Sequence, residues 1–257
     1  MDGGDGGVTR TVFATPKSAR AVLVCGLPGS GFVGKLGADQ LIGQFKAEKI
    51  LEYRCDSFPP QANVRDDGTA APLKAELYFA KTGVNPDIFV FTADAQPASS
   101  EGEYFLAQDV IGYVGGMGVK EVYTLAAYIT GSFSSESRVY GAATSPRMLE
   151  TLSSHGVKLM KDGGITGMNG LVIGVAALQG MEGACLLGET SGYVIDAGAS
   201  SAVLEVLSSL VGVKLDTSSL KEKAAETQKL IVQLQRMSEQ TREAAEPKRE
   251  TRPGYIS

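Results

Sequence analysis

Histidine is nearly missing from this chain: His155 is the only one. That excludes a metal site built from several imidazoles and makes a Ser-His-Asp triad depend on one residue. His155 precedes Gly156 at the end of a helical pattern, where a histidine commonly closes the last turn. Cysteine is scarce too. Cys25, Cys55 and Cys185 are an odd number with no C-x-x-C spacing, so neither a disulfide framework nor a zinc site is indicated. Cys25 and Cys185 sit inside apolar strand patterns and read as small core residues. Long apolar runs are lacking: residues 171–178 form a short run broken by one glycine, far below the ~18 residues a membrane span needs. Positive charge is in deficit, with 24 Lys+Arg against 29 Asp+Glu and a net charge of −5. That balance argues against a nucleic-acid or anionic-membrane surface. The opening MDGGDGGVTR has no apolar stretch after a basic start, so it does not read as a signal peptide, and the cytoplasm is the expected compartment. The spacings G-x-S-x-G, H-E-x-x-H and D-x-D-x-D-G do not occur.

Glycine, by contrast, is abundant: 32 of 257 residues, against a usual share of about 7%. The most informative cluster lies in residues 20–40, RAVLVCGLPGSGFVGKLGADQ. Residues 21–25 are a continuous apolar run, as in a strand buried on both faces. A glycine loop follows, and then Phe32, Leu36, Leu41 and Phe45 can share one helical face. Gly29-Ser30-Gly31-Phe32-Val33-Gly34 fits the dinucleotide pattern G-x-G-x-x-G, and Glu52, 18 residues beyond Gly34, stands roughly where a ribose-binding acid would be. The same stretch is a P-loop lacking only its final hydroxyl. Leu36 occupies that place, and leucine cannot hold Mg²⁺. The competing reading is a tight strand-to-helix turn whose glycines allow close backbone approach.

Strand and helix patterns alternate over residues 20–211, which predicts an α/β fold with a largely parallel sheet between helical layers. Residues 1–10 read as a disordered N-terminus and 11–15 as a short strand. Residues 62–79 read as an antiparallel hairpin turning at Asp66-Asp67-Gly68. Pro146 suits the first turn of a helix ending near Ser154. Ser219-Leu220-Lys221-Glu222 fits a capping box opening a C-terminal helix over 216–246. Leu230, Leu234, Met237 and Thr241 then form a narrow seam, suited to docking on this domain or on a partner. Residues 247–257 read as a flexible tail, leaving 11–215 as the α/β domain.

Ligands of open α/β sheets bind beyond the C-terminal strand ends. The candidates there are Gly29, Ser30 and Gly31 of the first loop, with Gln96, Glu103, Asn169, Glu189 and Asp196; Asp94 closes a further strand. Together they describe a shallow pocket of amides and carboxylates. Glu189 and Asp196 could equally cap the helices that follow, and that structural role is favoured. No catalytic constellation, cofactor site or metal site is assigned.

A resemblance runs through GLPGSGFVGKLGADQL, SFPPQANV, AQP, EYFLAQDVI, KEVYTLAAY, GGITGMNGLVIG, LLGETSGYVIDAGASSAVLEVL and LDTSSLKEKA, in that order. Together these segments resemble the proteasome assembly chaperone family of the chaperone-2 type, in its archaeal branch. The resemblance implies a three-layer α/β/α sandwich similar to nucleoside phosphorylases, without known catalysis. It implies a non-enzymatic chaperone that binds proteasome α-subunits during ring assembly and self-associates as a homo-oligomer. Some members carry an ATP-grasp label, so a nucleotide-binding enzyme or sensor using the Gly29–Gly34 loop stands as the alternative. Relatives with a hydrophobic–tyrosine–any-residue ending dock it between α-subunits. Here Tyr255, Ile256 and Ser257 are only similar to that motif, because tyrosine stands third from the end and follows Gly254.

Overall fold

A computed structural model of the chain describes residues 7–132 and 137–245, with side chains up to Gln233. The readings of residues 1–6 and of the tail, with Tyr255, Ile256 and Ser257, lie outside the described residues. In chain order the elements are β1 (Val8–Val12), β2 (Ala21–Gly26), α1 (Val33–Phe45), β3 (Glu48–Cys55), β4 (Ala62–Val64), β5 (Ala70–Pro72), β6 (Ala75–Ala80) and β7 (Asp87–Ala93). Then come α2 (Ser100–Gly116), β8 (Glu121–Ile129), β9 (Val139–Ala143), α3 (Pro146–Ser154), β10 (Lys158–Leu159), α4 (Gly167–Leu178), β11 (Glu182–Thr190), α5 (Ala197–Val211) and α6 (Ser218–Ala245).

The main sheet has the order β1-β3-β6-β7-β2-β8-β11-β9-β10. Its centre, β7-β2-β8-β11, is parallel. Antiparallel pairs extend it on both sides. Strand β2 shows why the centre reads as an unbroken apolar run. Successive side chains point to opposite faces. Leu23 and Cys25 pack with Leu106, Val110 and Val114 of α2 and Met168, Val172 and Ala176 of α4. Val22 and Val24 pack on the other face with Ala38 and Leu41 of α1 and Val203, Leu204 and Leu207 of α5. Helices cover both faces, so the fold is the expected three-layer α/β/α sandwich.

Local chemistry sets several boundaries. Ser145 caps α3 by accepting from the Met148 amide at 3.2 Å, with Pro146 in the first turn. His155 closes the same helix and donates Nδ1–H to the Thr151 carbonyl at 2.8 Å, a structural role. Gly212, at φ +70°, ends α5, as a left-handed C-terminal glycine does.

Three expectations change. The first strand spans Val8–Val12 rather than 11–15, and so begins inside the stretch read as disordered. It pairs antiparallel with β3, and Arg10 grips Asp109 of α2 at 2.9 and 3.0 Å, a tertiary contact that local sequence does not display. The hairpin closes at Asp66-Asp67-Gly68 but is confined to β4 and β5. Pro72 has no amide to prolong the ladder, and β6 joins the main sheet instead. The capping box does not form: α6 begins at Ser218, so Ser219 lies inside the first turn rather than before it, and its hydroxyl donates to Gln40 Oε1 at 2.9 Å. Asp216 Oδ1 instead accepts from the Ser218 amide and hydroxyl, at 2.9 and 2.7 Å.

The first turn of α1 lies directly on the sheet. A Cβ on Gly26 would fall 2.2 Å from the Gly34 carbonyl oxygen, and one on Gly34 would fall 2.2 Å from that of Leu125. Both obstacles are backbone. Gly34→Ala should therefore destabilise the protein by about 3 kcal/mol, the upper range for overpacking. Gly43, exposed on α1, is the control, because a Cβ there would meet nothing within 4 Å. Gly43→Ala should stabilise by about 0.5–1 kcal/mol. Urea midpoints of the two variants check this, and equal midpoints would contradict it.

Candidate functional site

The C-terminal ends of β2, β7, β8 and β11 meet two glycine-rich loops, residues 26–31 and 163–170. Gln96, just beyond β7, joins them. Its Nε2 donates to the Pro28 carbonyl at 2.7 Å, and its Oε1 accepts from the Met168 amide at 3.0 Å. The fit is close, since a Cβ on Gly167 would lie 2.7 Å from Gln96 Oε1. The residue is at φ +69°, where glycine is favoured.

Between the loops lies a cavity of about 270 Å³. It brings together Gly29, Ser30, Gln96 and Asn169, over an apolar floor that includes Leu27, Leu125 and Leu187. The Asn169 backbone carbonyl accepts from Thr124 Oγ1 at 3.1 Å, while its side-chain Oδ1 is buried without a partner among the described residues.

The remaining candidates stand apart from this cavity. Gly31, at φ +62°, accepts from the Asp196 amide at 2.9 Å. Asp196 caps α5, with Oδ1 accepting from the Ala199 amide at 2.9 Å and Oδ2 from Thr190 Oγ1 at 2.7 Å. Its structural role is thus the favoured one. Glu189 caps no helix. It faces a second, larger groove of about 540 Å³ beside α5 and α6, which Asp196 also lines. Glu103 lies in the first turn of α2, at the edge of the 163–170 loop, and burial pushes its carboxyl above the usual range. Asp94 Oδ2 accepts from the Lys74 amide at 3.1 Å and so fixes a strand end.

The dinucleotide reading loses its acid. Strand β3 is separated from β2 by β6 and β7. Glu52 is engaged there by Lys49 at 3.0 Å and by Arg54 and Lys74, both at 3.7 Å. Gly34 serves close packing rather than approach to a phosphate. Phe32 also departs from expectation. It precedes α1 in a left-handed conformation, at φ +52°, and is 44% exposed. A bulky residue in that region is a strained exception.

Sequence reasoning missed the larger groove and the exposed apolar residues Ile129, Tyr193 and Ile195 around the strand ends. The signal was present in SGYVID, where apolar side chains interrupt an otherwise polar glycine turn. Thiol chemistry is disfavoured. All three cysteines are buried and free, and burial pushes the Cys25 thiol up and that of Cys185 up to about 12. Among the described residues no three or more His, Cys, Asp or Glu cluster as metal ligands. No described helix is long and apolar enough to cross a membrane.

A mixed sheet between two helical layers, with cavities at the C-terminal strand ends, defines an α/β/α domain. The chain matches the PAC2 family over residues 23–235 and belongs to that family. It is 37% identical to the uncharacterised protein MJ1210 of Methanocaldococcus jannaschii, covering 94% of this chain and 93% of the relative. Among solved structures it is similar to Pyrococcus furiosus PbaB, described as an archaeal proteasome activator. The TM-score is 0.82 and the identity 31%, over 89% of this chain and 98% of that one. Pyrococcus furiosus PbaA, described as an archaeal homolog of proteasome-assembly chaperone, gives a TM-score of 0.73 and 28% identity over 92% and 94% of the two chains.

Because one side chain joins both loops, Gln96→Ala should loosen them together. Loss of two part-buried hydrogen bonds should cost about 1–3 kcal/mol. Amide exchange should accelerate in residues 28–31 and 164–169 alike. Acceleration in only one loop would show that Gln96 does not couple them.

Proposed function

We propose that this protein is a non-enzymatic cytoplasmic chaperone that binds proteasome α-subunits, assists assembly of their ring, and acts as a homo-oligomer. The observation that carries the reading is the likeness to PbaB, at a TM-score of 0.82 over 89% of this chain and 31% identity. The likeness to PbaA, described as a homolog of proteasome-assembly chaperone, supports the assembly role. The nucleotide-binding alternative is weakened by the packing of Gly34 against Leu125 and by the ion pairs that hold Glu52 away from the loop.

In this reading residues 11–215, together with the strand residues Val8–Arg10, are the body, 216–246 an arm and 247–257 a docking tail. The first turns of the arm dock, with Leu220 and Ala224 joining the core beside α5, whereas Leu230 is 59% exposed; the side chains of Leu234, Met237 and Thr241 lie outside the described residues. That exposed side suits a second copy of the chain. In the tail, Tyr255 supplies a rigid ring with a polar tip, Ile256 an aliphatic anchor, and Ser257 the last backbone groups. Burying Tyr255 and Ile256 contributes about 1.5–3 kcal/mol each before ordering costs. Several such tails on one oligomer facing a symmetric ring gain effective concentration.

Two outcomes are expected. Light scattering at micromolar concentration should give a mass above the 26.9 kDa of one chain; a single monomeric species would remove the oligomer from the proposal. Deleting Tyr255, Ile256 and Ser257 should leave fold and oligomer unchanged and weaken binding to proteasome α-rings tenfold or more per site, about 1.4 kcal/mol. Equal binding by the truncated chain would move the contact to the α/β domain.

A further inference from the structure

The cavity between the two glycine loops sits where the chain's connections diverge. Strands β2 and β7 are adjacent and parallel, yet β2 leads into α1 on one face of the sheet and β7 into α2 on the other. Such a divergence parts the loops beyond the strand ends and leaves a crevice, the usual ligand position in open α/β sheets. Gln96 spans the parting, donating to the Pro28 carbonyl and accepting from the Met168 amide. The walls of the crevice are held by main chain. Gly34 rests on the Leu125 carbonyl, and a Cβ on Gly170 would lie 2.0 Å from the carbonyl oxygen of Ile165. Walls fixed in advance lower the ordering cost of binding.

The lining selects the chemistry of a ligand. No Asp, Glu, Lys or Arg lines the cavity among the described residues, so an ion entering it would give up hydration without a counter-charge. Glu103, at the edge of the 163–170 loop beside Gly167, opposes an anion besides. Leu27, Leu125, Leu187 and Ile165 present apolar surface, which suits the face of a ring. Asn169 is the polar exception. Its Oδ1 is buried and has no hydrogen-bond partner among the described residues, a condition that native structures rarely leave uncorrected. A carboxamide carries an acceptor and a donor side by side. The group that matches both at once is another amide edge, with N–H and C=O on the same side. The volume of about 270 Å³ corresponds to about nine waters, or to one small ring with its substituents.

We propose that this cavity binds a small uncharged ring compound with a cis-amide edge, its N–H donating to Asn169 Oδ1, its carbonyl accepting from Asn169 Nδ2 and its ring lying on the leucine floor. Binding is noncovalent, and it is independent of the proteasome reading. The ligand joins the loop after β2 to the loop before α4, as Gln96 does from the other side chain's position.

The probes are 2-pyridone and N-methyl-2-pyridone, which share ring and carbonyl while only the first has the N–H. Titration of the full chain by saturation-transfer NMR should give 2-pyridone a Kd of about 1 mM or below, within reach of so small a ligand. N-methyl-2-pyridone should bind at least tenfold more weakly. At 10 mM, 2-pyridone should slow amide exchange in residues 164–170 about tenfold, the protection conferred by a ligand at ten times its Kd. Asn169→Leu, a change of similar volume at a part-buried position, should abolish the difference between the probes while the urea midpoint is retained. The comparison of the two probes uses the unmodified chain, so it stands whether or not that variant folds. Equal affinity for the two probes would overturn the proposal by removing any role for the N–H. Binding of neither at 10 mM would overturn it as well, leaving Asn169 to ordered water. Protection confined to residues outside 26–31 and 164–170, or a probe difference that persists in Asn169→Leu, would overturn it by assigning the N–H to another group.

Discussion

The contact on which the rest of this structure depends is backbone against backbone: the first turn of α1 rests on β2 and β8 through Gly26 and Gly34. A side chain at either position would meet carbonyl oxygen at 2.2 Å, and a main chain in a packed sheet has nowhere to retreat. With α1 seated this low, the 26–31 loop must turn sharply, which accounts for Gly31 and Phe32 in left-handed conformations. The turn carries the Gly31 carbonyl to the Asp196 amide and so ties the start of α1 to the start of α5. On the other side of the loop, Pro28 meets Gln96, which reaches Met168 and the start of α4. Three helices on two faces of the sheet are thereby registered through one short loop.

Much of the fold was legible because its signals are local. A doubly covered strand must be apolar throughout, and residues 21–25 are. Proline in a first turn marks the start of α3, and its end near Ser154 agrees with the structure. The capping-box pattern at Ser219 failed because the helix starts one residue earlier, where Asp216 holds the Ser218 amide, and Gln40, remote in sequence, takes the Ser219 hydroxyl. The strand at Val8–Val12 was hidden because its ion pair with Asp109 is likewise remote. The candidate site was legible by halves. Strand-end logic named Gly29, Ser30, Gln96 and Asn169, which line one cavity, since loop position alone brings them to one edge. It could not separate Glu189 and Asp196 from them. That separation depends on α5 and α6, whose placement follows from tertiary packing. The glycine fingerprint misled for a related reason, because close helix–strand packing and phosphate binding demand the same absent side chain.

Charge is distributed in keeping with this division. On β3, β6 and the residue before β6, Lys49, Glu52, Lys74 and Glu76 form a ladder of alternating sign at 2.6–3.7 Å. For Glu76, burial opposes ionisation, but Lys74 and Lys49 outweigh it and hold the carboxyl below its usual range. These groups satisfy one another and leave little net field. Around the strand ends the acids are engaged by helix amides or have no strong basic partner among the described residues, and apolar side chains surround them. Specific recognition is better served by the second arrangement, in which desolvation on binding is compensated by new contacts rather than by breaking old ones.

The short strand β1 has a consequence for how the protein behaves among copies of itself. It is the outermost strand on its side of the sheet, and it covers the ladder of β3, whose buried Ile50, Leu51 and Tyr53 make an attractive template for foreign strands. Val8–Val12 is a poor template in its place. It is only five residues long, alternates threonine with valine around a central arginine, and is turned toward Asp109 by that arginine. Short, charged edge strands are a common protection against edge-to-edge polymerisation. Arg10 thus acts as a gatekeeper, making a colloidal contribution to solubility at high concentration besides the ion pair it forms.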